Sequence, residues 1–285
     1  MSRVAYVNGR YVPMREATVH VEDRGYQFAD GVYEVCEVRG GRLIDERRHL
    51  DRLERSLGEL RIRMPLSRAA LGVILREVVV RNRVSYGIVY MQITRGVAKR
   101  DHAFPVGAIA PSVVVTARRL DKARNEALAA KGIAVISVPE NRWGRVDIKT
   151  VGLLPNVLAR QTAIEQGARD AWFVDKAGAV TEASSANAWI VTAAGKLVTR
   201  HADHAILHGI TRAVVLDAVK EQNTAVEQRA FTLDEAYGAR EAFITSASQI
   251  VLPVVNINGR TIGDGKPGPV ATALREVFHR YAEAG

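Results

Sequence analysis

Cysteine is almost absent from this sequence of 285 residues, in which Cys36 stands alone. One cysteine cannot form a disulfide within the chain, and the lack of a Cys/His cluster argues against a structural metal site, so we predict no metal. No hydrophobic run approaches the ~18 residues of a membrane span. The first ten residues also lack the apolar core of a signal peptide. We therefore predict a soluble, cytoplasmic protein with no membrane partner.

The rest of the composition is that of an ordinary globular protein, with 47% hydrophobic and 25% charged residues. This balance excludes disorder and fibrous repeats. Basic residues outnumber acidic ones, 40 to 31, and a net charge of +9 raises the question of a nucleic-acid partner. However, the basic residues alternate with acidic ones, as Arg52 does with Asp51 and Glu54, and no nucleic-acid-binding motif is present. We predict no nucleic-acid partner.

The periodicity of apolar residues predicts an α/β (α+β) fold of two domains. The first, residues 1–118, has hairpin turns at Asn8-Gly9 and Gly40-Gly41, with helices over 48–60 and 66–81 and strands over 88–94 and 112–117. Residues 119–131 are charged, without a strand pattern, and are predicted to be a linker or a short exposed helix. The second domain, residues 132–285, alternates strands with helices predicted over 154–166, 210–222 and 270–282.

Lys149 is the first candidate for chemistry, because it lies among apolar residues where a predicted strand leads towards a helix. An ammonium group in such surroundings loses hydration unless it is paired or used chemically. A lysine taken at random extends into solvent. The alternative is a lysine that forms a Schiff base with a carbonyl compound.

Two downstream features favour the Schiff base. Glu182 follows a predicted strand among small polar residues, where it could cap a turn or pair with a protonated ring nitrogen, as pyridoxal phosphate (PLP) requires. Gly209 precedes Ile210 and Thr211 at the start of a predicted helix, which is either an ordinary helix cap or a phosphate site.

Six segments, in this order and spacing, resemble the fold-type IV PLP-dependent aminotransferases. They span nearly the whole chain: EDRGYQFADGVYE (22–34), HLDRL (49–53), DIKTVGLLPN (147–156), TEASSAN (181–187), GITR (209–212) and TSAS (245–248). The resemblance implies a two-domain enzyme with PLP at the domain interface, acting on amino acids and 2-oxo acids.

The same resemblance implies a role for each matching residue. The implied cofactor-binding residues are Arg52, Lys149, Glu182, Leu207, Ile210, Thr211 and Ser248. Lys149 is the catalytic residue, which forms the Schiff base and carries the proton from the substrate Cα. Arg52 and Ser248 bind the phosphate together with the start of the helix at 210. Glu182 pairs with the pyridine nitrogen, and Leu207 packs against the ring.

A loop between two predicted strands, VAKRDHAFP (97–105), resembles the carboxylate trap of D-amino acid aminotransferases, which Tyr33 would complete. Arg100 and His102 are two residues apart and therefore project to one side of an extended loop. The resemblance implies a homodimer, since this loop reaches the partner's site in that subclass, so active sites are completed across subunits.

The implied reaction is ping-pong transfer of the amino group of a D-amino acid (D-alanine, D-glutamate or D-aspartate) to a 2-oxo acid. Branched-chain L-amino acid aminotransferases, aminodeoxychorismate lyases and R-selective amine transaminases share the cofactor residues, and they remain alternatives.

Overall fold

A computed structural model describes residues 3–221 and 225–283 of the chain, which forms two compact units. The first unit consists of the residues up to Asp121 with Ile148–Gly152 and Glu283. The second consists of Lys122–Asp147 and Leu153–Ala282. The segment that carries Lys149 therefore belongs to the first unit, although both of its chain neighbours belong to the second.

The first unit is a six-stranded antiparallel sheet with two long helices. Its strands are β1 (Val4–Val7), β2 (Arg10–Pro13), β3 (Gly31–Arg39), β4 (Arg42–Leu43), β5 (Tyr86–Thr94) and β6 (Ser112–Arg119), in the order β2-β1-β6-β5-β3-β4. Its helices are α1 (Arg24–Phe28), α2 (Glu46–Glu59) and α3 (Arg68–Arg81), with a 3-10 turn at Met14–Glu16. The apolar faces of α2 and α3 and one face of the sheet share a single core.

The turns of this sheet follow from residues that accept a left-handed backbone. Asn8 and Gly9, between β1 and β2, have φ of 45° and 95°. A type I′ turn needs positive φ at both central positions, so the predicted hairpin is confirmed. Helix α3 begins after Ser67, whose hydroxyl accepts a hydrogen bond from the backbone N–H of Ala70 at 3.2 Å.

The second unit is built on a ten-stranded mixed sheet, ordered β12-β11-β10-β14-β15-β7-β8-β9-β13, with β16 paired to β15. The strands are β7 (Ile133–Pro139), β8 (Asp170–Val174), β9 (Ala179–Ala183), β10 (Asn187–Val191), β11 (Leu197–Thr199), β12 (Val226–Gln228), β13 (Phe231–Thr232), β14 (Glu241–Ser246), β15 (Ile250–Ile257) and β16 (Arg260–Thr261). The helices are α4 (Lys122–Lys131), α5 (Leu154–Glu165), α6 (Ile210–Glu221), α7 (Leu233–Tyr237) and α8 (Pro269–Tyr281).

The three helices predicted for this unit are found as α5, α6 and α8. Gln222, the predicted last residue of α6, lies outside the described residues. Most of the stretch 119–131, predicted as a linker or a short exposed helix, forms α4, Lys122–Lys131. Within the described ranges, no helix combines the length and the apolar character that crossing a membrane requires.

Candidate active site

Lys149 lies in the connection between β7 and α5, and its backbone is fixed to the first unit. Its carbonyl accepts a hydrogen bond from the N–H of Tyr33 at 3.0 Å, and its own N–H donates to the Ser56 hydroxyl at 3.4 Å. The Lys149 Nζ lies 4.1 Å from the centroid of the Tyr33 ring. Among the described residues of this unit, no carboxylate forms an ion pair with it. The structure thus gives the amine an aromatic neighbour and leaves it available to a carbonyl group.

Tyr33, on β3, is held in turn by a second tyrosine. Its ring stacks on that of Tyr90 of β5, with centroids 5.6 Å apart. The Tyr90 hydroxyl donates to Gln92 Oε1 at 2.7 Å. Burial, together with the nearby Tyr33, raises the pKa of Tyr90 to about 12, so Tyr90 remains a neutral donor across the physiological range. The two tyrosines place an aromatic wall beside the amine of Lys149.

Arg52, on α2, is buried in an ion pair that the sequence analysis missed. Its Nε and Nη2 donate to the two carboxylate oxygens of Glu34 at 2.7 and 2.8 Å, and His49 Nδ1 lies 2.7 Å from Glu34 Oε2. Burial alone would raise the pKa of Glu34, but the charge and hydrogen bonds of Arg52, with His49, outweigh it and hold that pKa well below its ordinary value. The bidentate pair fixes the plane of the guanidinium group.

Arg100 and His102 lie on the exposed loop between β5 and β6. The Cζ atom of Arg100 is 4.8 Å from the centroid of the Phe28 ring, and the His102 ring is 5.5 Å from the same centroid. Both side chains therefore contact one ring, which belongs to α1. Their role in binding a carboxylate stays a prediction.

Glu182 lies on β9 in the second unit and is 5% exposed. One carboxylate oxygen accepts a hydrogen bond from Arg142 Nη1, and the other accepts from Asn187 Nδ2 at 3.0 Å and from the N–H of Leu207 at 3.1 Å. Of the predicted cofactor residues, Leu207 and Glu182 are thus in direct contact. These bonds fix the carboxylate in one orientation.

Arg142 joins Glu182 to a second carboxylate, Glu140. Its Nε donates to Glu140 Oε1 at 2.9 Å, and the Thr181 hydroxyl donates to Glu140 Oε2 at 2.7 Å. Burial disfavours the charge of Arg142, but Glu140 and Glu182 outweigh it, so the pKa of Arg142 lies above its ordinary value. Neither Glu140 nor Arg142 was predicted as a site residue, because only folding brings them beside Glu182.

Helix α6 begins at Ile210, as predicted. Its first internal hydrogen bond runs from the N–H of Ala213 to the carbonyl of Gly209 at 3.0 Å. The N–H groups of Ile210, Thr211 and Arg212 therefore have no acceptor within the helix and lie at its positive end. Such an end suits an anion.

Ser248 lies in the turn between β14 and β15. Its carbonyl accepts a hydrogen bond from Asn125 Nδ2 at 3.4 Å. Two residues later, Ile250 has a φ of 62°, a left-handed conformation that is strained for a β-branched residue. The strand that follows the turn of Ser248 thus begins in an unusual backbone conformation. Among the described residues of this unit, no hydrogen bond joins Ser248 to Glu182, Leu207 or Thr211.

The donor sets of the two units fit the parts of a PLP molecule. The first unit has a lysine amine and a fixed guanidinium group, Lys149 and Arg52. The second has a buried carboxylate for a ring nitrogen, Glu182, and a helix start for a phosphate. Each unit, taken by itself, thus offers groups of the kind that a PLP-dependent aminotransferase uses.

Comparison with known proteins leads to the same class. The Amino-transferase class IV family matches residues 31–257. The D-alanine aminotransferase of Staphylococcus aureus is 35% identical over 98% of both chains, and that of Listeria innocua is 39% identical over 95% of this chain and 93% of its own. A branched-chain amino acid aminotransferase from a T.th. strain, solved with pyridoxamine 5'-phosphate, is 28% identical with a TM-score of 0.89, covering 98% of this chain and 94% of that one.

The chain therefore belongs to the Amino-transferase class IV family. It is a PLP-dependent transaminase with the fold-type IV architecture, as the sequence predicted, and its substrates are amino acids and 2-oxo acids. The role of each site residue is part of the proposal below.

The contact between Gly209 and Asn187 gives a first testable prediction. A Cβ atom at Gly209 would lie 2.0 Å from Asn187 Oδ1, so Gly209→Ala must displace the amide that donates to Glu182. We expect the dissociation constant of PLP to rise about 10- to 100-fold, the usual value of a hydrogen bond to a charged group. Titration of the apo-enzyme with PLP, followed by absorbance, measures this. Gly144→Ala is the control, because nothing lies within 4 Å of a Cβ atom there. Equal affinities of the two variants would contradict the assignment of Glu182.

Proposed function

We propose that this transaminase transfers the amino group of a D-amino acid, of the D-alanine, D-glutamate and D-aspartate class, to a 2-oxo acid by a ping-pong mechanism. One observation carries the proposal: relatives named D-alanine aminotransferase are 35% and 39% identical to this chain over nearly its whole length. The loop that brings Arg100 and His102 against one ring supports it, because two adjacent donors suit a carboxylate.

In the first unit, Lys149 Nζ is assigned to the aldehyde of PLP and, once the substrate amine has replaced it, to the proton of the substrate Cα. PLP, when bound, supplies an electron sink for the bonds at that carbon. Arg52 is assigned to the phosphate, and its bidentate bonds to Glu34 keep it oriented for this role. Tyr33, Arg100 and His102 are assigned to the substrate carboxylate.

In the second unit, Glu182 is assigned to the pyridine nitrogen, whose proton it holds as an acceptor. The contact of Arg142 with one carboxylate oxygen fixes that orientation. Leu207 is assigned to the face of the ring. Ile210 and Thr211, at the start of α6, and Ser248 are assigned to the phosphate.

The proposal includes a cytoplasmic homodimer with active sites completed across subunits. Helix α5 supports the dimer, because four of its apolar side chains are more than half exposed: Leu154, Val157, Leu158 and Ile164. Exposed apolar side chains grouped on one helix are typical of a protein interface. The single cysteine, Cys36, is buried and free, as is usual in a reducing compartment.

Half-reactions with single amino acids test the substrate assignment. We expect D-alanine to convert the PLP form to the pyridoxamine form, with loss of the visible absorption band, at least about 100-fold faster than L-leucine does. Stopped-flow absorbance on the purified holoenzyme gives both rates. A faster reaction with L-leucine would replace the proposal with a branched-chain aminotransferase, the class of the structural neighbour above.

A further inference from the structure

A buried arginine, Arg24, contacts the loop that carries Arg100 and His102, at a point between these two residues. Arg24 is the first residue of α1 and is 3% exposed. Its Nη1 donates to the backbone carbonyl of Asp101 at 2.6 Å. Asp101 is the residue between Arg100 and His102, so the contact lies at the midpoint of that pair. A hydrogen bond from a charged donor is among the stronger ones in proteins.

Arg24 is itself held firmly. Its Nε donates to Asp30 Oδ2 at 2.8 Å, and the same carboxylate accepts from Arg95 Nε at 2.7 Å and Nη2 at 3.0 Å. Arg95, 8% exposed, also donates to the carbonyls of Leu60 and Arg61, at 2.7 and 3.1 Å. The position of Arg24 is thus fixed by Asp30, which is in turn anchored to the end of α2.

The start of the loop, at Gly96 and Val97, is held by backbone contacts, whereas its exposed tip, residues 99–104, is held by a side chain. The N–H of Arg24 donates to the carbonyl of Gly96 at 2.9 Å, and Asp23 forms a β-bridge with Val97. Residues 99–104 are exposed. At this tip, the buried Arg24 side chain contacts the backbone at Asp101, and it lies over the Phe28 ring, 4.8 Å from its centroid, as Arg100 does.

We propose that Arg24 is a positioning residue for the substrate carboxylate, because it holds the Asp101 carbonyl and thereby sets where Arg100 and His102 project. The inference rests on the proposed function, in which these two side chains bind that carboxylate. Exposed, flexible side chains lose conformational entropy when they bind an anion, and fixing the backbone between them lowers that cost. The effect falls on substrate affinity, since Arg24 contacts no reacting atom.

A double-mutant cycle with Arg24→Met and Arg100→Met tests the inference. We expect Arg24→Met to raise the KM for D-alanine by about 10- to 100-fold, as the loss of a charged hydrogen bond does. We expect kcat to change less than about 3-fold and the absorbance of bound PLP to persist. Because Arg24 acts through both Arg100 and His102, we expect the KM of the double variant to rise by less than the product of the two single increases.

Controls keep the outcomes distinct. If Arg24→Met does not fold, Arg24→Lys takes its place, because it retains a positive charge beside Asp30. A single ammonium group cannot span both acceptors, the Asp30 carboxylate and the Asp101 carbonyl, as the guanidinium group does. We therefore expect the KM of Arg24→Lys to rise as well. Arg15→Met removes an exposed arginine of the same unit and leaves KM unchanged. A KM within about 3-fold of wild type in the Arg24 variants, or additive effects in the double variant, overturns the inference. An unchanged KM in Arg100→Met instead overturns the carboxylate assignment of the proposed function.

Discussion

Lys149→Ala is expected to abolish transamination, with kcat/KM falling by at least about 10⁴-fold. In the proposed function, Lys149 supplies both the amine for the aldehyde and the group that moves the Cα proton, and a positioned acid–base group alone is worth about 10²- to 10⁴-fold. The visible absorption of protein-bound PLP is lost with the amine. Absorbance of the reconstituted protein and steady-state rates with D-alanine measure the two effects.

The structure supplies a matched control for this variant. Lys131→Ala removes an exposed lysine at the end of α4 and leaves both the absorption band and the activity intact. A small primary amine added to Lys149→Ala is expected to restore part of the rate, because it replaces the missing proton carrier. A Lys149→Ala protein that keeps the band and the activity would mean that another residue holds the cofactor.

Much of the fold could be predicted from the sequence where local patterns are strong. The predicted helix over 48–60 corresponds to α2, because Leu50, Leu53 and Leu57 recur on one face and all three are buried. The turn at Asn8-Gly9 has the positive φ values that its residues favour. In both cases the evidence lies within a few residues, so tertiary context was not needed.

Short polar elements escaped prediction. Helix α1 has only five residues, Arg24–Phe28, too few for an apolar period to show, and the Asp23 carboxylate that caps it accepts from the N–H of Gly25. Helix α7 is equally short and begins with a capping box between Thr232 and Glu235. Such elements depend on caps and on packing, which leave no apolar repeat in the sequence.

The candidate site, too, has residues that the sequence indicates and residues that only the folded structure reveals. Lys149, Arg52 and Glu182 were found through segments that resemble a family, but the partners that orient two of them were not. Glu34 reaches Arg52 from another element, and Arg142 reaches Glu182 from a connection 40 positions earlier. Pairings of this kind are set by the tertiary fold and leave no spacing to recognise.

The depressed pKa of Glu34 determines how acid affects the fold. Burial works against the charge, but Arg52 and His49 outweigh it, so the carboxyl is more acidic in the folded chain than the ordinary value of 4.5. A group with a depressed pKa adds stability that is fully present above its unfolded value and is lost as the pH falls through its folded value. The contribution of Glu34 is therefore constant at neutral pH and declines below about pH 4.5.

Glu34→Gln is expected to lower the free energy of unfolding at pH 7 by about 3–5 kcal/mol, because it leaves Arg52 as a buried charge without its carboxylate. Glu54→Gln is the control, since Glu54 pairs with Arg68 at the surface, where both side chains are at least 40% exposed, and such a pair contributes about 0–1 kcal/mol. Urea unfolding of the apo-enzymes at pH 7 gives both differences.

Urea unfolding of the same two variants at a series of pH values distinguishes the contribution of the Glu34 charge to stability from that of its packing. The wild type loses stability below about pH 4.5 more steeply than Glu34→Gln does, because only the wild type has this carboxylate to protonate. The difference in free energy of unfolding between the wild type and Glu34→Gln therefore narrows in acid. The difference between the wild type and Glu54→Gln stays small at every pH. A loss at pH 7 no larger than that of the control would show that Arg52 does not depend on Glu34. In that case, the orientation of Arg52, the arginine that the proposed function assigns to the phosphate, would have to come from another contact.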